Sequence, residues 1–252
     1  MKQVSILSVP VTVTNYLETI TFVKRTISQR KKIYIYVAAV HLIMECQKNP
    51  KLLKSLKGAA IVTPDGMPLV WISKLLGNKL AGRVYGPNLT IMLCRLAELS
   101  GFTIFLLGGS TGQSKNLVST LQSKFKKINI VGNIDTPIRP IPKKENQIIV
   151  DAINKSKPDI VFVGLGCPNQ ELWIMENRSK VSAPVLIGVG AAFDFISGKV
   201  QQAPVWMQNS GLEWLYRLIQ EPKRLWKRYL ILNTLFIFKI IKQILKSFFV
   251  GQ

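Results

Sequence analysis

The chain has 252 residues, 48% of them hydrophobic and only 19% charged, which supplies a substantial core and excludes a disordered chain. Its 34 Lys and Arg against 13 Asp and Glu give a net charge of +21, so the expected partner is a polyanion: nucleic acid, an anionic membrane or a phosphorylated substrate. The three cysteines, Cys46, Cys94 and Cys167, are odd in number and widely spaced, which offers neither a disulfide frame nor a zinc cluster and fits a reducing compartment.

The N-terminal MKQVSILSVPVTV turns polar at Thr14-Asn15 without the apolar core of a signal peptide, so a cytoplasmic protein is expected. Short β-branched runs then alternate with amphipathic stretches. The predicted strands are Val4–Val11, Ile33–Val40, Ala59–Val62, Phe102–Leu107, Ile128–Val131, Asp159–Val163 and Val185–Val189. The predicted helices between them include Asn15–Gln29, Leu42–Leu56, Asn88–Leu99, Gly112–Phe125 and Glu145–Lys155. Such alternation implies βαβ units, and strands apolar on both faces imply a sheet covered on both sides. Residues 1–200 therefore read as one Rossmann-like α/β domain, a mostly parallel sheet with flanking helices, in which Ile134–Lys144 is a Pro-rich loop. Residues 201–252 form a basic C-terminal appendage with Trp206, Trp214 and Trp226 and a break at Pro222. Its longest uncharged stretch, Tyr229–Phe238, is about half the ~20 residues that span a bilayer.

Parallel sheets bind ligands beyond the carboxyl ends of their strands. The loops there read TPDGMP (Thr63–Pro68), GGSTG (Gly108–Gly112), GNIDTP (Gly132–Pro137), GLGCPNQE (Gly164–Glu171) and GVGAAFDF (Gly188–Phe195). Their glycines suit either backbone amides that approach a phosphate or tight βα turns, and Gly108–Gly112 leading into a helix is a reasonable diphosphate cradle, though neither GxGxxG nor a Walker motif. Among the acids, Glu18, Glu45, Glu98, Glu145, Asp151, Glu176, Glu213 and Glu221 fall in or near predicted helices, and Asp159 starts a strand at the opposite edge. That leaves Asp65, Asp135, Glu171 and Asp194. Asp65, between Pro64 and Gly66, fits a general base, and it equally fits an N-cap for a helix over Met67–Leu76. His41, the single histidine, lines the pocket or packs a helix start; alone it makes no metal site. No Ser-His-Asp or Cys-His set can be assembled, which disfavours covalent hydrolytic chemistry.

Taken in order, TPDGMPLVW (Thr63–Trp71), RVYGPNL (Arg83–Leu89), DIVFVGLGCPNQELW (Asp159–Trp173) and the run from Ile187 to Tyr229 resemble the WecG/TagA/CpsF glycosyltransferases, glycosyltransferase family 26. The resemblance implies a fold of GT-E type and transfer of an N-acetylmannosamine-type or related sugar. The implied donor is a UDP-sugar, and the acceptor a sugar on a polyprenyl diphosphate in bacterial cell-surface polysaccharide synthesis. It implies inversion without a bound metal or other cofactor, at the inner face of the membrane. Residue by residue, it implies Asp65 as the base, with Arg83, Gln170 and Asp194 as substrate contacts; Thr63 and the loop glycines Gly108, Gly109, Gly164 and Gly166 are the further substrate-binding candidates. The resemblance further implies that arginines of the appendage close over the donor diphosphate, with Arg217, Arg224 and Arg228 as the candidates, a task suited to bidentate guanidinium. The chain departs from the family pattern at Val37 and Ala39, where many members carry Thr-x-Asn, and at Asn88, where many carry Asp. These departures bear on the donor sugar. The charge alone motivates a second reading, nucleic-acid binding, for which no motif is present, so no nucleic-acid partner is expected. The departures at Val37, Ala39 and Asn88 motivate a third, a non-catalytic scaffold.

On a helical projection the basic residues Arg224, Lys227, Arg228, Lys239, Lys242 and Lys246 share one face. Trp226, Leu230, Phe236, Ile237, Ile240, Ile241, Ile244 and Phe248 lie broadly opposite, with Ile231 and Leu235 interrupting the basic stripe. The expectation is a helix lying in an anionic membrane interface, with packing against the protein's own core or an oligomer partner as the alternative.

Overall fold

The computed structural model describes residues 1–78, 82–137 and 140–250, with side chains as far as residue 246. Residues 138 and 139 of the predicted Pro-rich loop, and the side chain of Phe248, lie outside the described ones.

The expected first strand, Val4–Val11, is instead a hairpin. β1 (Gln3–Ile6) pairs antiparallel with β2 (Val9–Thr12). At its two-residue turn Leu7 and Ser8 have φ of 48° and 67°, both positive as a type I′ turn requires. No Gly or Asn marks this turn, which is why it reads as unbroken strand.

The main sheet holds β3 (Ile33–Ala38), β4 (Ile61–Pro64), β5 (Thr103–Gly108), β6 (Asn129–Ile134), β7 (Ile160–Gly164) and β8 (Val185–Gly188). They lie in the order β4-β3-β8-β7-β5-β6, all parallel. Alternate residues serve two apolar layers: Tyr36, Phe105, Leu107, Val161, Val163 and Leu186 on one face, Ile35, Val37, Ile104, Leu106, Ile160 and Phe162 on the other. Double coverage is what continuous apolar strands require.

The helices are α1 (Tyr16–Ser28), α2 (Val40–Cys46), α3 (Pro50–Lys57), α4 (Met67–Leu75), α5 (Gly86–Ser100), α6 (Gln113–Lys124), α7 (Lys143–Ser156), α8 (Asn169–Asn177) and α9 (Ala192–Ile196). The predicted helix Leu42–Leu56 is two, because Pro50 lacks an N–H and forces Asn49 into extended backbone. Asn49 then caps α3, its side chain accepting from Leu52 N at 3.2 Å.

The appendage runs through α10 (Val205–Asn209), α11 (Glu213–Gln220), α12 (Pro222–Trp226), a π-helical turn at Lys227–Leu232 and α13 (Asn233–Val250). The π turn holds more residues than an α turn, so a constant 100° projection fails across it. Arg224 and Arg228 accordingly do not continue the stripe of Lys239, Lys242 and Lys246; they turn to the cavity described below. The alternative reading of the tail is partly realised. Phe236 and Ile240 are buried against the core, with Ile244 beside them, and so are not on the outward apolar face. Gln243 clamps the hairpin, accepting from Leu7 N and donating to Ser5 O, each at 2.8 Å. Ile237, Phe238, Ile241 and Leu245 remain exposed beside the lysines. Among the described residues no helix is long and apolar enough to cross a membrane.

Candidate active site

A cavity of about 570 Å³ opens at the carboxyl ends of the strands, walled by loops after β3, β4, β5, β7 and β8 and closed by α11 and α12. Asp65 enters it from the end of β4. Its N–H donates to Ala38 O at 2.9 Å, extending the β3–β4 ladder, and its Oδ1 accepts from Gly86 N at 3.3 Å. The N-cap of α4 is Gly66 and no side chain caps that helix, so Asp65 is free of the capping role. Burial raises the Asp65 pKa to about 6, with Glu213 adding to the rise while Arg83, the Gly86 amide and Arg217 oppose it. The carboxyl group thus titrates near neutrality.

Arg83 does not line this cavity. It ties the appendage to the Asp65 loop: Nε donates to Asp65 O, Nη2 to the Glu213 carboxylate and Nη1 to Gln208 O at 3.3 Å. Its guanidinium lies 4.3 Å from the Tyr85 ring centroid. Glu213, set aside in the sequence as a helical acid, is therefore part of the site. Nothing local marked it, since its position depends on how α11 folds back onto β4.

Thr63 is fully buried in β4, and Gly108 lies outside the cavity wall. A Cβ at Gly108 would meet Gly164 O at 2.5 Å, so β5 and β7 need glycine there for close approach rather than for a ligand. Gly109, Gly164 and Gly166 do line the cavity. Two amides of the expected diphosphate cradle already have partners within the protein. Asp135 accepts from Gly112 N at 2.7 Å and Ser114 N at 2.9 Å, capping α6, and Gln113 Oε1 accepts from Ser110 N at 2.9 Å. Asp194, at the rim, accepts from Gln113 Nε2 at 2.7 Å and lies 3.7 Å from Lys199 Nζ.

Cations instead come from the appendage. Arg217, Arg224 and Arg228 all line the cavity, as does Lys199. Arg217 lies 5.2 Å over the Phe195 ring, and Arg224 pairs with Glu221. Arg228 Nε has no partner, and burial first, then Arg217 and Arg224, hold its pKa below the ordinary value. Guanidinium groups crowded around a cavity need an anion between them. His41 faces the same space, and burial with Arg228 and Lys48 pushes it down to about 3, so it is neutral at physiological pH.

Gln170 and Glu171 are both buried in the wall. Gln170 Oε1 accepts from Gly190 N at 3.0 Å and its Nε2 donates to Glu171 Oε1 at 2.7 Å. Burial raises the Glu171 pKa to about 7. Because this exceeds the unfolded value of 4.5, the native state binds the proton more tightly. Stability is then highest below pH ~4.5 and falls as pH rises through about 7, by up to ~3 kcal/mol. Urea unfolding of Glu171→Gln, compared with the parent at pH 5 and pH 8, is expected to remove most of that decline. An unchanged slope would show Glu171 ionised and fully compensated.

Of the departures from the family pattern, Val37 and Ala39 line the cavity beside Asp65, whereas Asn88 is exposed in the first turn of α5 and does not.

The family model described as glycosyl transferase WecG/TagA/CpsF family matches residues 4–248. An N-acetylglucosaminyldiphosphoundecaprenol N-acetyl-beta-D-mannosaminyltransferase of Bacillus spizizenii is 33% identical over 204 residues, covering 81% of this chain and 77% of the relative. The protein of the same name from Bacillus subtilis is 33% identical over 216 residues, covering 86% and 80%. That from Staphylococcus aureus is 27% identical over 245 residues, covering 95% and 92%. With a near-neutral carboxylate facing an arginine-rich cavity, and a match along nearly its whole length, this chain belongs to the WecG/TagA/CpsF family and is a glycosyltransferase.

Proposed function

We propose that the chain moves an N-acetylmannosamine-type or related sugar from UDP to a polyprenyl-diphosphate-linked N-acetylglucosamine acceptor, inverting the anomeric carbon. The observation that carries this is the placement of Asp65, with its pKa near 6, in one cavity with Arg217, Arg224 and Arg228. The ionised Asp65 accepts the proton of the acceptor hydroxyl as that oxygen bonds to the anomeric carbon. The bond from that carbon to the UDP oxygen breaks, and the arginines take up the charge left on the diphosphate. The acceptor follows from what the Bacillus and Staphylococcus relatives are named for. Val37 and Ala39 give the saccharide an apolar wall next to the base, so the donor sugar is the variable to screen. Incubating the protein with a panel of UDP-sugars and polyprenyl-diphosphate N-acetylglucosamine, and reading product mass, tests the proposal. UDP-sugar binding without product from any donor would favour the scaffold reading.

The same proposal has residues 201–252 serve as an appendage that both closes the cavity and rests on the anionic inner face of the cell membrane. Lys239, Lys242 and Lys246 flank the exposed Ile237, Phe238, Ile241 and Leu245, the arrangement of an interfacial helix. Since Phe236 and Ile240 hold α13 to the core, the outward residues can change without releasing it. Ile237→Glu with Ile241→Glu is expected to lower partitioning onto anionic vesicles at least tenfold, given ~1.5–3 kcal/mol for each buried isoleucine. Its thermal unfolding should match the parent's. Equal sedimentation of both proteins with vesicles would remove α13 as the docking element.

A further inference from the structure

Asp65 separates two cavities. Behind the large one lies a smaller space of about 110 Å³, and Asp65, His41, Arg217 and Arg228 border both. The characters differ. The large cavity carries Lys199, Arg224 and the polar strand-exit loops, whereas Val40, Met67, Pro68, Trp214 and Tyr229 give the smaller one mainly apolar and aromatic walls. Trp214 and Tyr229 pack with their ring planes tilted by 56° and centroids 6.1 Å apart.

The smaller cavity continues outward along α4. Met67 lines it, and Trp71 and Leu75 follow at i+4 and i+8, so all three share one face of the helix. Trp71 rests on Gly211, another wall residue: a Cβ there would come 2.6 Å from its Cη2. Trp71 is 50% exposed and Leu75 69%, an uncovered apolar stripe about 12 Å long leading away from Asp65. On the other side Asn233 lines the cavity, and Ile237, Ile241 and Leu245 follow it at four-residue steps along the outward face of α13. Two apolar rows thus start from the wall of the smaller cavity, one along α4 and one along α13 toward the proposed membrane-facing surface.

We infer that the smaller cavity and the Met67–Trp71–Leu75 stripe form the acceptor's entrance, with the stripe binding the isoprenoid chain of the lipid diphosphate where it leaves the bilayer. A nucleotide occupies the large cavity because its cations and volume suit a diphosphate; the apolar approach to the opposite side of the base suits a hydrocarbon chain. This rests on the glycosyl-transfer reading above and assigns the acceptor's lipid portion a place in it. It explains why apolar side chains are left uncovered beside a catalytic carboxylate, at a cost of exposed Trp71 and Leu75 in the free protein.

The test uses Trp71→Ala and Leu75→Ser, both at exposed positions, assayed with two acceptors that differ only in chain: a polyprenyl-diphosphate and a short alkyl-diphosphate N-acetylglucosamine. For the polyprenyl acceptor, KM is expected to rise about tenfold, in keeping with lost apolar burial, with kcat unchanged. For the short acceptor KM stays at the parent value, as does UDP affinity by calorimetry. Sedimentation with acceptor-free anionic vesicles also stays at the parent value. A KM that is unchanged, or raised equally for both chains, overturns the inference; so does a parallel loss of vesicle binding, which would make the stripe a bilayer contact. Failure of the parent itself to bind UDP would instead overturn the glycosyl-transfer reading, and this inference with it.

Discussion

Asp65→Asn lowers kcat by about 10²–10⁴-fold, the usual worth of a positioned base, while UDP affinity stays within about twofold of the parent. The variant keeps the volume and the capacity to accept from Gly86 N but cannot take a proton. The pH profile identifies the group. Since the base must be ionised and its pKa is about 6, parent kcat/KM rises with pH below about 6 and levels off above, whereas the residual rate of the variant is flat across that limb. The stability consequence runs the other way. The folded-state pKa lies above the unfolded value of 3.8, so the native state gains stability at low pH and loses it as pH rises through about 6. Asn at this position is neutral throughout, so the variant is expected to melt higher than the parent at pH 8 and to match it near pH 4. Loss of activity with gain of stability marks a residue kept for chemistry. A variant that turns over like the parent would falsify the base assignment.

The sheet was legible because its strands are short, apolar on both faces and punctuated by glycine. All six main strands lie within two or three residues of their expected ends. The errors occurred where local sequence and long-range packing part company. The Leu7-Ser8 turn is held by Gln243, more than two hundred residues away, so no nearby residue announces it. The break between α2 and α3 was visible in Asn49-Pro50 and was passed over for the longer apolar period around it. At the site, the rule that loops after parallel strands bind ligands narrowed the acids to Asp65, Asp135, Glu171 and Asp194, and the family resemblance singled out Asp65. Excluding Glu213 followed from judging acids by helix membership, whereas its position depends on α11 folding back to meet Arg83. The glycine-rich Gly108–Gly112 loop looked like a phosphate cradle because sequence shows amides but not their partners. Asp135, two dozen residues on, takes one of them, Gly112 N, together with Ser114 N in the first turn of α6. The tail projection failed for a geometric reason, the π turn, and that turn is what brings Arg228 into the cavity while α13 keeps its lysines outside.

Arg228→Ala is expected to weaken UDP binding about 10- to 100-fold, by ~1.5–3 kcal/mol for a lost hydrogen bond to a charged group. Arg224→Ala, removing an exposed arginine already paired with Glu221, costs only a few-fold. The difference lies in what each guanidinium meets in the free protein. Arg228 is enclosed, its Nε lacks a partner, and no ion pair among the described residues includes it. Its neighbours Arg217 and Arg224 add repulsion, and the Tyr229 ring 5.7 Å away offsets only part of its desolvation until an anion arrives. Removing it therefore leaves unfolding unchanged or slightly harder even as affinity collapses. Arg228→Lys recovers the charge but not the fork, and regains only part of the affinity. A second signal accompanies the first. Arg228 holds the His41 pKa down and draws the Glu171 pKa down as well, so its loss moves both upward. NMR titration of the single histidine, followed with and without UDP, reads the shift directly. If Arg228→Ala binds UDP like the parent while His41 still shifts, the guanidinium lines the cavity as an electrostatic neighbour, and the diphosphate is held by Arg217 and Lys199 instead.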